Sequence, residues 1–278
     1  MTDYLFEPVR HVDQVEPPRN GFRQPKVAGK WMYSPSSYDA VSDKSSLIPW
    51  SQERAAEVFS TNSEASDALR MIGDLESPEG RKQLRALVKK AMEGSKATQG
   101  RDRGSLIHLG IEHVNRGGSL DDLTTPFVRQ AAETYLRMLE KYGLIPRLAE
   151  IFLASEELGV AGTADAIMTS ANSPSILVDY KSGRAGSEAW AAVSWATQCS
   201  LYVNSLPYCH EKGFLSWESC GVEPPRTDIA IVMHIPSDGA EAKLHTVDCV
   251  RGLELVALSR QVKDARKWKG LATTIGGL

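Results

Sequence analysis

Two short segments hold the residue types best able to do chemistry: Gly162-Thr163-Ala164-Asp165 and Val178-Asp179-Tyr180-Lys181. Each reads as a strand, and the connection Thr169-Ser170-Ala171-Asn172-Ser173-Pro174 is rich in turn formers. A turn centred on Asn172 sets Asp165 directly opposite Asp179, on one face, with β-carbons about 5 Å apart. Two carboxylates that close repel unless a cation lies between them. Lys181 stands two residues beyond Asp179 and shares its strand face. A face of Asp, Asp and Lys suits a magnesium-dependent phosphodiesterase. A D-x-K tripeptide also occurs at solvated strand ends and in surface pairs, so the rest of the chain has to add to it.

Four further features align with this face. Gly104-Ser105-Leu106-Ile107-His108 puts a histidine on a helix, with Glu112 one turn later. His108 is either an ordinary helix residue or a donor of a neutral imidazole nitrogen to a divalent ion, which shifts preference toward manganese. Glu112 could orient His108 or a water, or be a helix-surface acid. Glu150 lies amid Leu148, Ile151 and Phe152; it either faces solvent on an alternating strand or is a buried acid near the site. Gln198 and Tyr202 are four apart on a helix and could hydrogen-bond the site or a phosphate. Ser182-Gly183-Arg184-Ala185-Gly186-Ser187 is small and flexible, as close approach of a phosphate backbone requires and as an ordinary strand-to-helix turn also allows.

The elements that must position these residues follow from periodicity and punctuation. Residues 1 to about 46 are rich in Pro, Gly and Ser and read as an extended N-terminal arm. Helical spacing runs over 51–72, from Ser77-Pro78 onward, over 104–115 and over 120–142, closed by Gly143. The pattern then turns strand-like at 147–155, 159–168 and 175–181. A helix is expected at 188–206, strands at 228–235 and 243–249, and a last helix at about 252–268. The expected fold class is α/β: one domain over 47–278, with a mixed central sheet flanked by helices and a helical N-terminal section. The helical part covers about 47–143 and the α/β core about 144–270.

Length and composition are those of a globular chain: 278 residues, 42% hydrophobic, 24% charged, net charge −3. The overall charge does not advertise nucleic-acid binding. Between Arg81 and Arg103, however, eight basic residues face only Glu93 and Asp102. That strip is either a solvated helix face or a track for a phosphate backbone. On the second reading Arg101 and Arg103, with Arg184, would touch substrate. No stretch approaches 18 apolar residues and no signal peptide opens the chain, so a cytoplasmic protein without a membrane partner is expected. The four cysteines (Cys199, Cys209, Cys220, Cys249) form no C-x-x-C pair and read as buried free thiols.

Taken in order, Gly104/His108, Glu150, Gly162/Asp165, Asp179/Lys181 and Gln198/Tyr202 resemble the RecB-type branch of the PD-(D/E)xK nuclease superfamily. The likeness covers about residues 104–202. Ser45-Ser46-Leu47-Ile48-Pro49-Trp50 is similar to the start of small phage-encoded exonucleases of that branch. Ala164 rather than proline precedes Asp165, as is usual in the branch, and the second acid is Asp, which the pattern allows. The resemblance implies a restriction-endonuclease-like core. It implies Mg2+ or Mn2+ held by Asp165, Asp179, His108 and the Tyr180 backbone carbonyl. Lys181 would position or deprotonate the attacking water, Gln198 and Tyr202 would support substrate or the lysine, and Glu150 would lie near the site. Some members carry an iron–sulfur cluster, which needs a cysteine before the nuclease core; none precedes Cys199, so no cluster is expected. The expected activity is that of a metal-dependent DNA exonuclease leaving 5′-phosphates, in phage or recombination and repair processing. An endonuclease of the same fold and a non-catalytic DNA-binding subunit are the alternatives. The implied partner is DNA, with a recombinase or further copies of the chain as candidates; for a phage protein the compartment is the host cytoplasm.

Overall fold

The alternating pattern that follows Gly143 becomes a seven-stranded sheet in the computed structural model. Val9 and residues 12–41, 47–93, 96–170, 173–186 and 188–271 are described. The chain divides into two units, one of Met1–Ser42 with Ile107–Leu278, the other Asp43–Leu106.

The smaller unit holds α1 (Leu47–Thr61), α2 (Ser63–Arg70), α3 (Pro78–Glu93) and the first half of α4 (Lys96–Asn115). The helical spacing read over 51–72 is broken at Asn62, whose side chain accepts from the Ala65 amide at 3.0 Å and starts α2. Ser77 caps α3 as its sequence predicts, accepting from the Gly80 amide at 3.0 Å.

The larger unit begins with the segment expected to be an arm. A two-stranded ribbon, β1 (Lys26–Val27) and β2 (Lys30–Trp31), lies within it. Val27 and Met32 are buried with Phe152, Ala154, Ala161 and Tyr208. Gln14 fastens the segment to the sheet: its Nε2 donates to the Phe152 and Tyr208 carbonyls (2.9 and 3.0 Å), and the Phe152 amide donates to its Oε1 (2.8 Å). These residues are part of the folded unit, because their apolar and hydrogen-bonding groups are used by it.

After α5 (Pro126–Tyr142), closed by Gly143 at φ 60°, come β3 (Leu144–Ser155), β4 (Val160–Ser170), β5 (Ser173–Lys181), α6 (Glu188–Val203), β6 (Leu206–Cys209), β7 (Gly213–Phe214), β8 (Ile229–His234), β9 (Lys243–Asp248) and α7 (Cys249–Ala265). The sheet order is β7-β6-β3-β4-β5-β8-β9. All neighbours are antiparallel except β5 and β8. The protein is thus mixed α/β, with a mixed sheet flanked by helices. Ile107 and Ile111 of α4 and Tyr135, Met138 and Leu139 of α5 pack on Ala166, Met168, Val178 and Tyr180. Trp195, Cys199 and Tyr202 of α6 pack with Leu148, Ile151, Ala164, Leu177 and Val232. All four cysteines are buried and free. Among the described residues, no helix is long and apolar enough to cross a membrane.

Candidate active site

The register of β4 and β5 runs Ala166↔Val178, Ile167↔Leu177, Met168↔Ile176, the alignment that a turn centred on Asn172 predicts. Asn172 itself lies outside the described residues. The ladder stops at Ala166↔Val178, one pair before the two aspartates. There the Asp165 side chain replaces the backbone: its Oδ2 accepts from the Tyr180 amide at 2.5 Å. The strands part, and the two carboxylates occupy the opening.

The same point is irregular on the other side. Around it β3 and β4 keep one register, Ala149↔Ala166 and Ile151↔Ala164, which aligns Glu150 with Asp165. Leu148, Ile151 and Leu153 nevertheless share one core, as do Ala164 and Ile167; strict alternation forbids both sets. Each strand switches faces at its acid. On β3 the switch is taken by Glu150, with φ 50°, a left-handed conformation that costs a non-glycine residue about 1–3 kcal/mol. Glu150, Asp165 and Asp179 therefore stand in a row across three neighbouring strands.

Asp179 is buried and fixed by two side chains. Its Oδ2 lies 2.5 Å from Lys181 Nζ, and its Oδ1 accepts from Gln198 Nε2 at 3.1 Å. Gln198 Oε1 accepts from Lys181 Nζ at 3.1 Å. Gln198 thus clamps both members of the pair from α6, through both the oxygen and the nitrogen of its amide. Tyr202 is buried one turn on, and its hydroxyl donates to the Thr163 carbonyl at 2.7 Å, tying α6 to β4. A Cβ on Gly162 would come within 2.9 Å of Pro35 Cδ and 3.4 Å of that hydroxyl. A glycine there lets the three elements close up.

From the opposite face, α4 brings His108, whose Nδ1 is 3.5 Å from Asp165 Oδ1. Behind it Tyr180 Oη donates to Tyr135 Oη (3.2 Å), which donates to Asn115 Oδ1 (2.8 Å). This chain of bonds ties β5, α5 and α4 together.

Charge is crowded here. Burial, then the charges of Asp165 and Glu112, push Glu150 up to about 7, against the pull of His108. Burial and the Asp165 charge also raise Asp179, although Lys181 opposes them. Burial would raise Asp165, but His108, Lys181 and the Tyr180 amide outweigh it and hold it low. His108 is raised because Asp165 and Asp179 overcome its burial. Lys181 is raised in the same way by the two aspartates, so it carries its proton.

The structure brings together His108, Glu150, Asp165, Asp179, Tyr180, Lys181, Gln198 and Tyr202. Glu112 contributes charge, while its Oε1 pairs with Arg116 at 2.5 Å. Arg184 is exposed on the loop after β5. Arg103 is exposed and belongs to the smaller unit; the side chain of Arg101, and Ser45, Ser46 and Ser187, lie outside what is described. Glu16 went unread in the sequence. It accepts from Thr163 Oγ1 at 3.0 Å and its charge helps to raise Glu150; with the bonded partners 147 positions apart, no local pattern signals it.

No family model and no curated protein matches the chain. One solved structure similar to it is described as the crystal structure of SSO0001. Identity is 14%, the alignment covers 78% of this chain and 86% of that chain, and the TM-score is 0.31. A likeness that slight carries no argument.

Proposed function

We propose that this protein is a divalent-metal-dependent deoxyribonuclease of the PD-(D/E)xK type, an exonuclease that leaves 5′-phosphates. On this reading β3–β5, α6 and β8 form a restriction-endonuclease-like core, preceded by a helical section. DNA is the partner and the cytoplasm, or a phage host's, the compartment. The observation that supports it is the meeting of Asp165, Asp179, Lys181 and His108 where β4 and β5 part.

The donor set fits Mg2+ or Mn2+. Three acids, Glu150, Asp165 and Asp179, converge against one lysine and one histidine, while Glu112 and Glu16 nearby are paired with Arg116 and Arg19. The raised pKa of Glu150 comes first from burial and then from the neighbouring acids, and hard oxygen donors suit a hard divalent ion. Asp165, Asp179, His108 and the Tyr180 carbonyl would hold the ion. When bound it would offset phosphate charge and lower the pKa of water. The chain's own groups do the rest. Lys181, kept cationic by the aspartates, orients the attacking water and steadies charge building on the phosphate. Gln198 holds Lys181 and Asp179 in mutual register. Tyr202 is a positioning residue, since its hydroxyl is spent on β4.

End-labelled linear and closed-circular DNA, incubated with Mg2+, Mn2+ or EDTA beside Lys181→Ala, test the proposal. Metal-dependent loss of linear DNA only is expected, with the rate of the variant lowered by about 10²–10³. Cutting of circles would make it an endonuclease. DNA binding without cleavage would make it a non-catalytic subunit. Neither binding nor cleavage would end the nucleic-acid reading.

A further inference from the structure

A second group of ligand-type side chains lies where β5, β8, β9 and α6 come together, with no part in the reaction proposed above. His234 ends β8 and is fully buried. His245 is on β9, opposite Val232, and His234 is opposite Lys243. Both histidines therefore project from one sheet face. Glu188 begins α6 over that face. One donor atom from each of Glu188, His234 and His245 lies within 4.8 Å of the other two. Trp195, two turns into α6, covers them, its ring 6.1 Å from that of His234 and 5.5 Å from that of His245.

Hydrogen-bond logic fixes how the group is used. His234 Nε2 is 2.8 Å from the Gly183 carbonyl oxygen. A carbonyl only accepts, so Nε2 carries the hydrogen. Nδ1 of the neutral ring is then a lone pair, aimed at Glu188 Oε1 at 3.3 Å. Two electron-rich atoms face each other, and a positive charge belongs between them. An imidazolium at His234 would supply one, yet it leaves His245 unexplained. His245 Nε2 is sealed from solvent without a hydrogen-bond partner among the described residues. Lys243 Nζ, 3.5 Å from Glu188 Oε1, sits on a half-exposed side chain that can withdraw to water. A histidine whose far N–H is held by a backbone carbonyl is the usual setting of a metal-bound imidazole.

We propose that Glu188, His234 and His245 form a site for Zn2+ or a similar borderline metal ion, with water as fourth ligand. Two imidazoles and one carboxylate favour zinc over magnesium. The ligand atoms, now within 4.8 Å of one another, would close to the roughly 3.3 Å edges of a tetrahedron with ~2.0 Å bonds. Bound there, the ion would join β8 and β9 to the first turn of α6. Through the His234–Gly183 bond it would also hold the loop that follows Lys181. The site thus anchors the start of α6, the helix that carries Gln198.

The metal-stripped full-length protein, titrated with Zn2+ against a chromophoric chelator and with Co2+ as a spectroscopic probe, tests this. One tightly bound equivalent is expected, with the strong visible bands of tetrahedral Co2+. His245→Gln and Glu188→Gln should each weaken binding by about tenfold or more, while a paired Asp165→Asn, Asp179→Asn variant keeps the equivalent. His245 is partly exposed, so its replacement should fold, and circular dichroism checks that it has. No stoichiometric zinc in the wild type overturns the proposal. So does zinc that survives His245→Gln, or zinc that leaves with the two aspartates, which would assign it to the other site. None of these results depends on nuclease activity.

Discussion

Glu150 carries the sharpest expectation at the residue scale. In the unfolded chain its carboxyl titrates near 4.5, and in the folded protein burial and the acids around it push that to about 7. Between those values the folded state holds a proton that the unfolded chain has released. The contribution of Glu150 to the stability of the metal-free protein therefore falls as pH climbs from about 4.5 to 7, then levels off above. Glu150→Gln removes that contribution. Melting temperatures in EDTA should show a flatter profile for the variant across this window, and a gain of several degrees at pH 8. Parallel profiles would mean that Glu150 is not the titrating group. Asp165, Asp179 and Lys181 were legible in the sequence because a short hairpin makes register a matter of counting. His108 and Gln198 were placed at the site only by the family resemblance, since helix spacing alone left both open. The left-handed backbone at Glu150, the face switch and the Glu16 charge were not legible. They arise from strands meeting across the sheet, and no local pattern encodes that.

At the scale of elements, α6 decides how well the site is set. One side of it clamps Asp179 and Lys181; the other packs on α7. The approach to α7 is close. A Cβ on Gly252 would fall 1.9 Å from Ser200 Oγ and 2.4 Å from the Ala196 carbonyl oxygen. Ser200 Oγ in turn donates to the Cys249 carbonyl at 2.9 Å. Gly252→Ala should therefore force the helices apart and lower unfolding free energy by about 1–3 kcal/mol, measured in urea. An unchanged midpoint would show that α6 is free to shift. The long strands β3, β4, β5 and β8 could be read from alternation and turn residues, and α5 from its spacing and Gly143. The short pair β6–β7 could not: two residues of β7 carry no period, and Pro207 within β6 argues against a strand. The break at Asn62 lies in Ser60-Thr61-Asn62-Ser63, residues that favour caps over helix interiors, but the apolar spacing on either side runs on across it.

For the whole molecule, composition misjudges the N-terminal segment. Its Pro, Gly and Ser content reads as a loose arm, yet Gln14 bonds two strands and Val27 and Met32 are buried. Such burial rests on partners more than a hundred residues away, beyond the reach of any window. The placement of the sulfur atoms has its own consequence. Cys199 is on α6, Cys209 on β6, Cys220 closes a 3-10 turn and Cys249 opens α7, each shut away from solvent. The folded protein offers an alkylating reagent no thiol, so each cysteine reacts only when its own element opens. The four become clocks for local unfolding at four places. Mass-resolved alkylation under native conditions should label Cys199 and Cys249 slowly and together, because α6 and α7 are bonded through Ser200. Rapid labelling of Cys199 alone would mean that the helix bearing Gln198 lifts from the sheet by itself, and that the site breathes on that timescale.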